Sequence, residues 1–448
     1  MDRKIKTITD YCELLNECHN IVLTGAPGTG KTYLARQIAA QMVLGKKVDD
    51  LETLEDDEKD ILKERTAFVQ FHPSYDYTDF VEGLRPDSKT DGGNEIVFER
   101  RDGIFKEFCK KVIVRSYQTE VKSDDVVHHE SDDVELLKIV FTELLEDIKK
   151  KRKDSIEQRK NESVRLIGVS ARNNIEMQKD GKPFVMSLET VLELYNKAPN
   201  VKNVRYSREK EGDGYVKVGG DAPAKWAVMN YLVNKMEEKR IVNQVGITNT
   251  SSKYVFIIDE INRGELSKIF GELFFSIDPG YRGEKGRVNT QYQNLITDGP
   301  FKDSFFVPKN VYVIGTMNDI DRSIESMDFA IRRRFAWVEV KANDNTEMLS
   351  NLKTVERSKA EKVMFALNDA IWNEDNHKGI EGLSRAYHIG ASYFLKLDNF
   401  IDSDNPFKDL WDFHLEGLLR EYLRGLDDAE EKLITLQRAY NEAAGING

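Results

Sequence analysis

Eight consecutive residues, Gly25-Ala26-Pro27-Gly28-Thr29-Gly30-Lys31-Thr32, restrict what this chain can fold into more than any other stretch. They fit G-x-x-x-x-G-K-[ST] at every position. They follow the short apolar run Ile21-Val22-Leu23-Thr24 and precede a segment with helical periodicity, Tyr33 to Leu44. The glycines let backbone N–H groups converge on one point, and the start of a helix adds partial positive charge there. A strand, loop and helix of this kind cradle phosphates. Lys31 reaches the β- and γ-phosphates, and the Thr32 hydroxyl is a ligand for Mg²⁺. Residues Gly25 to Thr32, with Tyr33 at the helix start, form the candidate nucleotide-binding set.

Three later segments fit the same site. Val255-Phe256-Ile257-Ile258 is apolar and runs into Asp259-Glu260, as a buried strand does when it delivers carboxylates to the carboxyl edge of a sheet. Asp259 then belongs to the Mg²⁺ shell, and Glu260 orients or deprotonates the attacking water. A further strand, Val311 to Met317, ends in Asn318. That amide either caps the strand or bonds the lytic water or the γ-phosphate, and its order in the chain favours the second. Arg332-Arg333-Arg334 is either a solvated basic turn or a set of fingers reaching a neighbouring subunit's nucleotide. Guanidinium groups so placed accelerate phosphoryl transfer by about 10³–10⁵-fold.

The rest of the chain divides by texture. Residues 1–115 and 251–342 alternate strands (TAFVQF over 66–71, for example) with helices such as SKIFGELFFSI over 267–277. That order predicts a parallel sheet covered on both faces. Residues 116–250 interrupt it with an inserted α+β domain. Helices are expected there over 134–153, 188–196 and 224–239, with an alternating run (SVRLIGV) and a Gly-Lys-Pro turn at 181–183. Residues 343–448 read as a small helical domain. Between 149 and 240 the insertion holds 21 Lys and Arg against 13 Asp and Glu. That balance fits either a solvated spacer or a phosphate-following surface. His128 and His129 lack a spaced set of partner ligands and read as loop.

Over all 448 residues there are 66 Lys and Arg and 78 Asp and Glu, a formal charge of −12, which argues against a surface that binds nucleic acid throughout. Cys12, Cys18 and Cys109 form no CxxC pair, which excludes a zinc site or disulfide framework of that kind. No apolar stretch reaches the roughly 18 residues of a membrane span, and the N-terminus lacks an apolar signal core. A cytoplasmic location without membrane contact is expected.

These motifs in this order resemble the McrB family, the GTPase subunit of McrBC-type restriction systems. The resemblance is carried by FVQFHPSYDYTDFVEGLRP (68–86), RDGIFKEFC (101–109), FIIDEINRGELSKIFGELF (256–274), VPKNVYVIGTMNDIDRS (307–323) and MDFAIRRRF (327–335). HIGASYF (388–394) and LLREYLRG (418–425) extend it toward the C-terminus. It implies an α/β fold: an AAA+ P-loop NTPase core, a parallel sheet flanked by helices, with a long α+β insertion and a C-terminal helical lid. It further implies a hexameric ring that hydrolyses GTP with Mg²⁺ and drives a separate McrC-like nuclease subunit on DNA. Asn318 and Asp321 inherit a role in hydrolysis, and Arg263, Arg332 and Arg333 are expected to face the neighbour's nucleotide.

Two departures stand out. With the phosphate loop at residue 25, the family's usual N-terminal domain for modified DNA is expected to be missing, unless the sequence is a trimmed piece of a longer chain. About 140 residues also separate Cys109 from the strand ending at Asp259. GTP rather than ATP rests on the resemblance alone, because the Asn-Lys-x-Asp guanine element is absent: Asn196-Lys197 is followed by Ala-Pro. No nuclease constellation is evident, since Pro86-Asp87 lacks a partner on a following strand. Two rival readings share the phosphate-binding residues, an ATP-driven remodelling chaperone of the MoxR type and a nucleotide-gated scaffold. The Met-Asn-x-x-Asp-Arg-Ser block favours the restriction subunit over the chaperone.

Overall fold

A computed structural model describes residues 7–446 except 87–97, 124–129, 160–161, 180, 202–203, 221, 245–251, 298, 321–328 and 354. The chain forms two compact units: residues 1–112, 250–296 and 303–448 make the first, and 113–249 with 297–302 the second.

The first unit is built on five parallel strands: β1 (Asn20–Thr24), β2 (Thr66–Gln70), β3 (Tyr254–Asp259), β4 (Val311–Thr316) and β5 (Ala336–Glu339). Their spatial order is β5-β1-β4-β3-β2. Every residue of β3 and β4 is buried, which is why both read as unbroken apolar runs. Side chains alternate across the sheet. Val255 and Ile257 pack with Ile21, Leu23 and Ile314 against helices α1 (Ile8–Cys18) and α2 (Lys31–Leu44). Phe256 points to the opposite face, where Phe80, Phe105, Phe108 and Phe270 form an aromatic layer with Phe105 and Phe256 centroids 5.0 Å apart. This is the α/β P-loop NTPase core, a parallel sheet flanked by helices.

Several elements differ from the expectation. The stretch over 267–277 is two short helices, Leu266–Phe270 and Leu273–Ile277. Gly271 separates them at φ +48°, with the Tyr77 ring 3.0 Å from where a Cβ would stand. The helix expected over 134–153 is Glu130–Lys149, and Lys151 turns left-handed at φ +56°. α2 starts two residues early, at Lys31. The C-terminal region packs Arg357–Ile371, Glu416–Tyr422 and Ala429–Ala444 around Leu367, Phe394, Trp411 and Tyr440. It is not helical throughout, because Trp372–Asn373 and Lys378–Gly379 pair as a small hairpin.

The second unit has its own core. Helices Glu130–Lys149, Leu188–Lys197 and Ala222–Gln244 accompany a four-stranded antiparallel sheet of Ser155–Arg159, Glu162–Val169, Ile175–Lys179 and Lys182–Met186. Of the expected Gly-Lys-Pro turn, Gly181 lies between the last two strands, while Lys182 and Pro183 already belong to the last one, opposite Lys179 and Gln178. Val191, Leu194, Val228, Leu232 and Met236 are buried together, with Leu188 and Leu192 at the edge. Among the described residues, no helix is long and apolar enough to cross a membrane.

A unit with a separate core tolerates removal, since loop-closure entropy changes slowly with loop length. Replacing residues 120–245 by a short Gly/Ser linker is expected to leave the first unit folded, with a single cooperative thermal transition by circular dichroism. Loss of that transition would show that the inserted segment is part of the first unit's core.

Candidate nucleotide site

Parallel register brings the ends of β1, β4 and β3 to one edge of the sheet, so that Thr24, Thr316 and Asp259 close their strands side by side. α2 begins at that edge with Gly30 as its N-cap (φ +79°) and no side chain capping its first turn. The first amides of the helix are therefore left to a ligand.

Asp259 is the hub. Its Oδ1 accepts from Thr32 Oγ1 at 2.7 Å and from Thr316 Oγ1 at 2.6 Å. Thr316 Oγ1 also accepts the Glu260 N–H at 3.3 Å. A hydroxyl and a carboxylate converging from two elements suit a hard divalent cation such as Mg²⁺, which takes few protein oxygens and keeps water and phosphate ligands. Among the described residues no cluster of three or more His, Cys, Asp or Glu is placed to hold a metal ion. Lys31 Nζ lies inside the loop, donating to the carbonyls of Gly25 (3.0 Å) and Ala26 (2.8 Å) and to Thr29 Oγ1 (3.3 Å).

Glu260 adopts φ +51°, ψ +47°, a left-handed conformation costly for a side chain with a Cβ. The turn directs its carboxylate toward β4, where Asn318 Nδ2 donates to Oε1 at 2.8 Å. Arg263 lies beside Glu260. Placed by the 3₁₀ turn Ile261–Arg263, its Nε is 3.4 Å from Glu260 Oε2 of the same chain. The turn puts residues three apart on one side, so Glu260 and Arg263 meet within the subunit. Arg332 and Arg333 are exposed at the end of the helix Phe329–Arg332, and Arg334 is buried. Asp321, His128 and His129 lie outside the described residues.

Other residues also shape the site. Thr316 is the polar end of the apolar strand β4, a signal that could have marked it. Asp319 donates its N–H to Gly25 O at 3.1 Å. Burial pushes its carboxyl upward, against the pull of nearby Lys31. The C-terminal region reaches the loop through backbone groups: Gly390 N donates to Pro27 O (3.1 Å) and Ser392 N to Gly28 O (3.0 Å). Asn345 Nδ2 donates to Thr29 O at 2.5 Å.

A Cβ on Gly390 would stand 2.0 Å from the Gly28 carbonyl carbon. Gly390→Ala therefore forces two backbones apart, and about 1–3 kcal/mol of destabilisation is expected, read as a lowered Tm. An unchanged Tm would show that this contact yields without cost.

Comparison with known proteins agrees with this geometry. The family model for the AAA domain (dynein-related subfamily) matches residues 222–335, and that for the Novel STAND NTPase 3 matches residues 4–71. The chain is 25% identical over 391 residues to the type IV methyl-directed restriction enzyme EcoKMcrB subunit of Escherichia coli (strain K12), covering 87% of this chain and 50% of that protein. It is 24% identical over 174 residues to the type II restriction enzyme BsuMI component YdiS of Bacillus subtilis (strain 168), covering 38% of this chain and 50% of that one. The chain thus spans about half the length of each relative. Its phosphate loop, its five-stranded parallel sheet and the matching AAA domain identify an AAA+ P-loop NTPase core, in a chain similar to the EcoKMcrB subunit along most of its own length.

Proposed function

We propose that this protein hydrolyses a nucleoside triphosphate, GTP in preference to ATP, as the ring-forming subunit of a restriction complex whose separate, McrC-like subunit cuts DNA. One observation carries the hydrolytic part: Thr32, Asp259, Asn318 and Glu260 meet at one sheet edge, with Glu260 held by an amide donor. The restriction context is supported by the similarity to the two restriction components; the preference for GTP and the ring rest on the resemblance of the motifs to the McrB family.

The amides of Gly28 to Thr32 and the Lys31 amine bind the β- and γ-phosphates. To do so, Lys31 exchanges the carbonyls of Gly25 and Ala26 for phosphate oxygens. Thr32 and Asp259 would hold Mg²⁺, which supplies charge neutralisation at the phosphates. Glu260 accepts a proton from the attacking water while that water's oxygen bonds to the γ-phosphorus and the bond from phosphorus to the bridging oxygen breaks. Asn318 and Arg263 fix the Glu260 carboxylate for that transfer. Arg332 and Arg333 complete the site of the adjoining subunit.

Lys31→Ala is expected to weaken nucleotide binding at least about a hundredfold by calorimetry, because charge-assisted phosphate contacts disappear. Unchanged affinity would remove the phosphate-loop assignment. Glu260→Gln should bind as the parent does and turn over about 10²–10⁴-fold more slowly. Parental turnover in that variant would show that another group takes the proton. Sedimentation with a non-hydrolysable GTP analogue should show assembly, most simply a hexamer, whereas a monomer at micromolar concentration would contradict fingers supplied between subunits. Measuring GTP against ATP turnover, with and without the product of an adjacent gene, tests the nucleotide preference and the partner.

A further inference from the structure

The three consecutive arginines do not share an environment. Arg334 turns inward, donating from Nε to Phe274 O at 2.6 Å, 3.8 Å from the Asp278 carboxylate. Its own carbonyl accepts from Asn20 Nδ2 at 2.8 Å. Asn20, buried at the start of β1, also donates to Ile277 O (2.9 Å) and accepts from Arg282 Nη2 (2.5 Å). The turn after Phe329–Arg332 is thereby tied to β1 and to the helix Leu273–Ile277.

Arg332 and Arg333 are exposed, and among the described residues Trp337 packs against the first of them. The Arg332 guanidinium lies 5.4 Å from the centre of the Trp337 ring. Trp337 Nε1 donates to Arg332 O at 3.1 Å. Trp337 itself sits in β5, in register with Val22 of β1. A guanidinium held against an aromatic face keeps its N–H edge available, and restraint before reaction lowers the entropy lost on reaching a phosphate.

We propose that Arg332 is the arginine presented to the neighbouring subunit's γ-phosphate. Trp337 is its positioning residue, and Arg334 and Asn20 fix the turn on which both stand. The proposal rests on the reading above that fingers act between subunits.

The test uses the full-length chain with Mg²⁺ and either GTP or ATP, in steady-state turnover. Arg332→Ala should lose about 10³-fold in kcat, more than Arg333→Ala. Trp337→Leu should lose about tenfold in kcat with KM within about twofold, and Trp337→Phe, which keeps a ring but not the N–H, should fall between. The decisive measurement mixes Trp337→Leu with Glu260→Gln subunits, which turn over little themselves but offer intact arginines. Turnover per Trp337→Leu subunit should rise toward the parental value as the proportion of Glu260→Gln grows.

Parental turnover in Trp337→Leu overturns the proposal. So does a loss that Glu260→Gln subunits fail to restore, because the defect then lies in the variant's own site or fold. A larger loss in Arg333→Ala than in Arg332→Ala overturns the assignment of Arg332. If neither arginine variant slows turnover, the reading of fingers acting between subunits fails as well.

Discussion

The site depends on one carboxylate oxygen. Asp259 Oδ1 accepts hydroxyl bonds from Thr32 at the start of α2 and from Thr316 at the end of β4, while its backbone closes β3. Three elements far apart in the chain are held together at one atom. Parallel pairing makes this possible, because neighbouring strands deliver their carboxyl ends to the same edge and a shift of one residue would turn Asp259 to the other face. Thr316 also accepts the Glu260 N–H, so the same hydroxyl helps support the left-handed turn that directs Glu260 toward Asn318. A strained residue at this position has its orientation set by its surroundings rather than by its own preference.

What was legible in the sequence follows the same division between local and distant causes. The phosphate loop and the strands of the parallel core could be read because each signal is contained in about ten residues: an apolar run, then a loop or an acid. The single helix expected over 267–277 was misread, because apolar periodicity continues through Gly271 while the backbone does not. The contact between Arg263 and Glu260 is set by a 3₁₀ turn that spacing alone does not specify. Asp319, Asn345 and the backbone of Gly390 escaped notice. Each acts through contacts with the phosphate loop, and no short pattern announces a residue hundreds of positions away.

The inserted unit was legible in a different way. Its helices declare themselves by period, and the buried apolar residues of Leu188–Lys197 and Ala222–Gln244 share one cluster. Its sheet was only partly visible, as one alternating run and one turn. The strands Ser155–Arg159 and Ile175–Lys179 are short and hold enough charged residues in sequence to pass for loop. A fold read from pattern therefore recovers amphipathic helices more readily than short antiparallel strands, whose burial is decided by partners across the sheet.

The phosphate loop is gripped from both sides. Asp319, after β4, bonds the carbonyl of Gly25, while Gly390 and Ser392 bond those of Pro27 and Gly28, and Asn345 bonds that of Thr29. Lys31 takes the Gly25 and Ala26 carbonyls from within. The carbonyls of all five residues from Gly25 to Thr29 are thus engaged by the protein, while the amides beginning α2 stay uncapped. A loop with its acceptors satisfied and its donors open is polarised toward an anion before any anion arrives. Because the acceptors' partners lie on β4 and in the C-terminal region, the loop's shape cannot change without moving one or the other. Backbone bonds of this kind have little slack compared with long side chains, so the C-terminal region is coupled to phosphate binding mainly by geometry and only secondarily by charge.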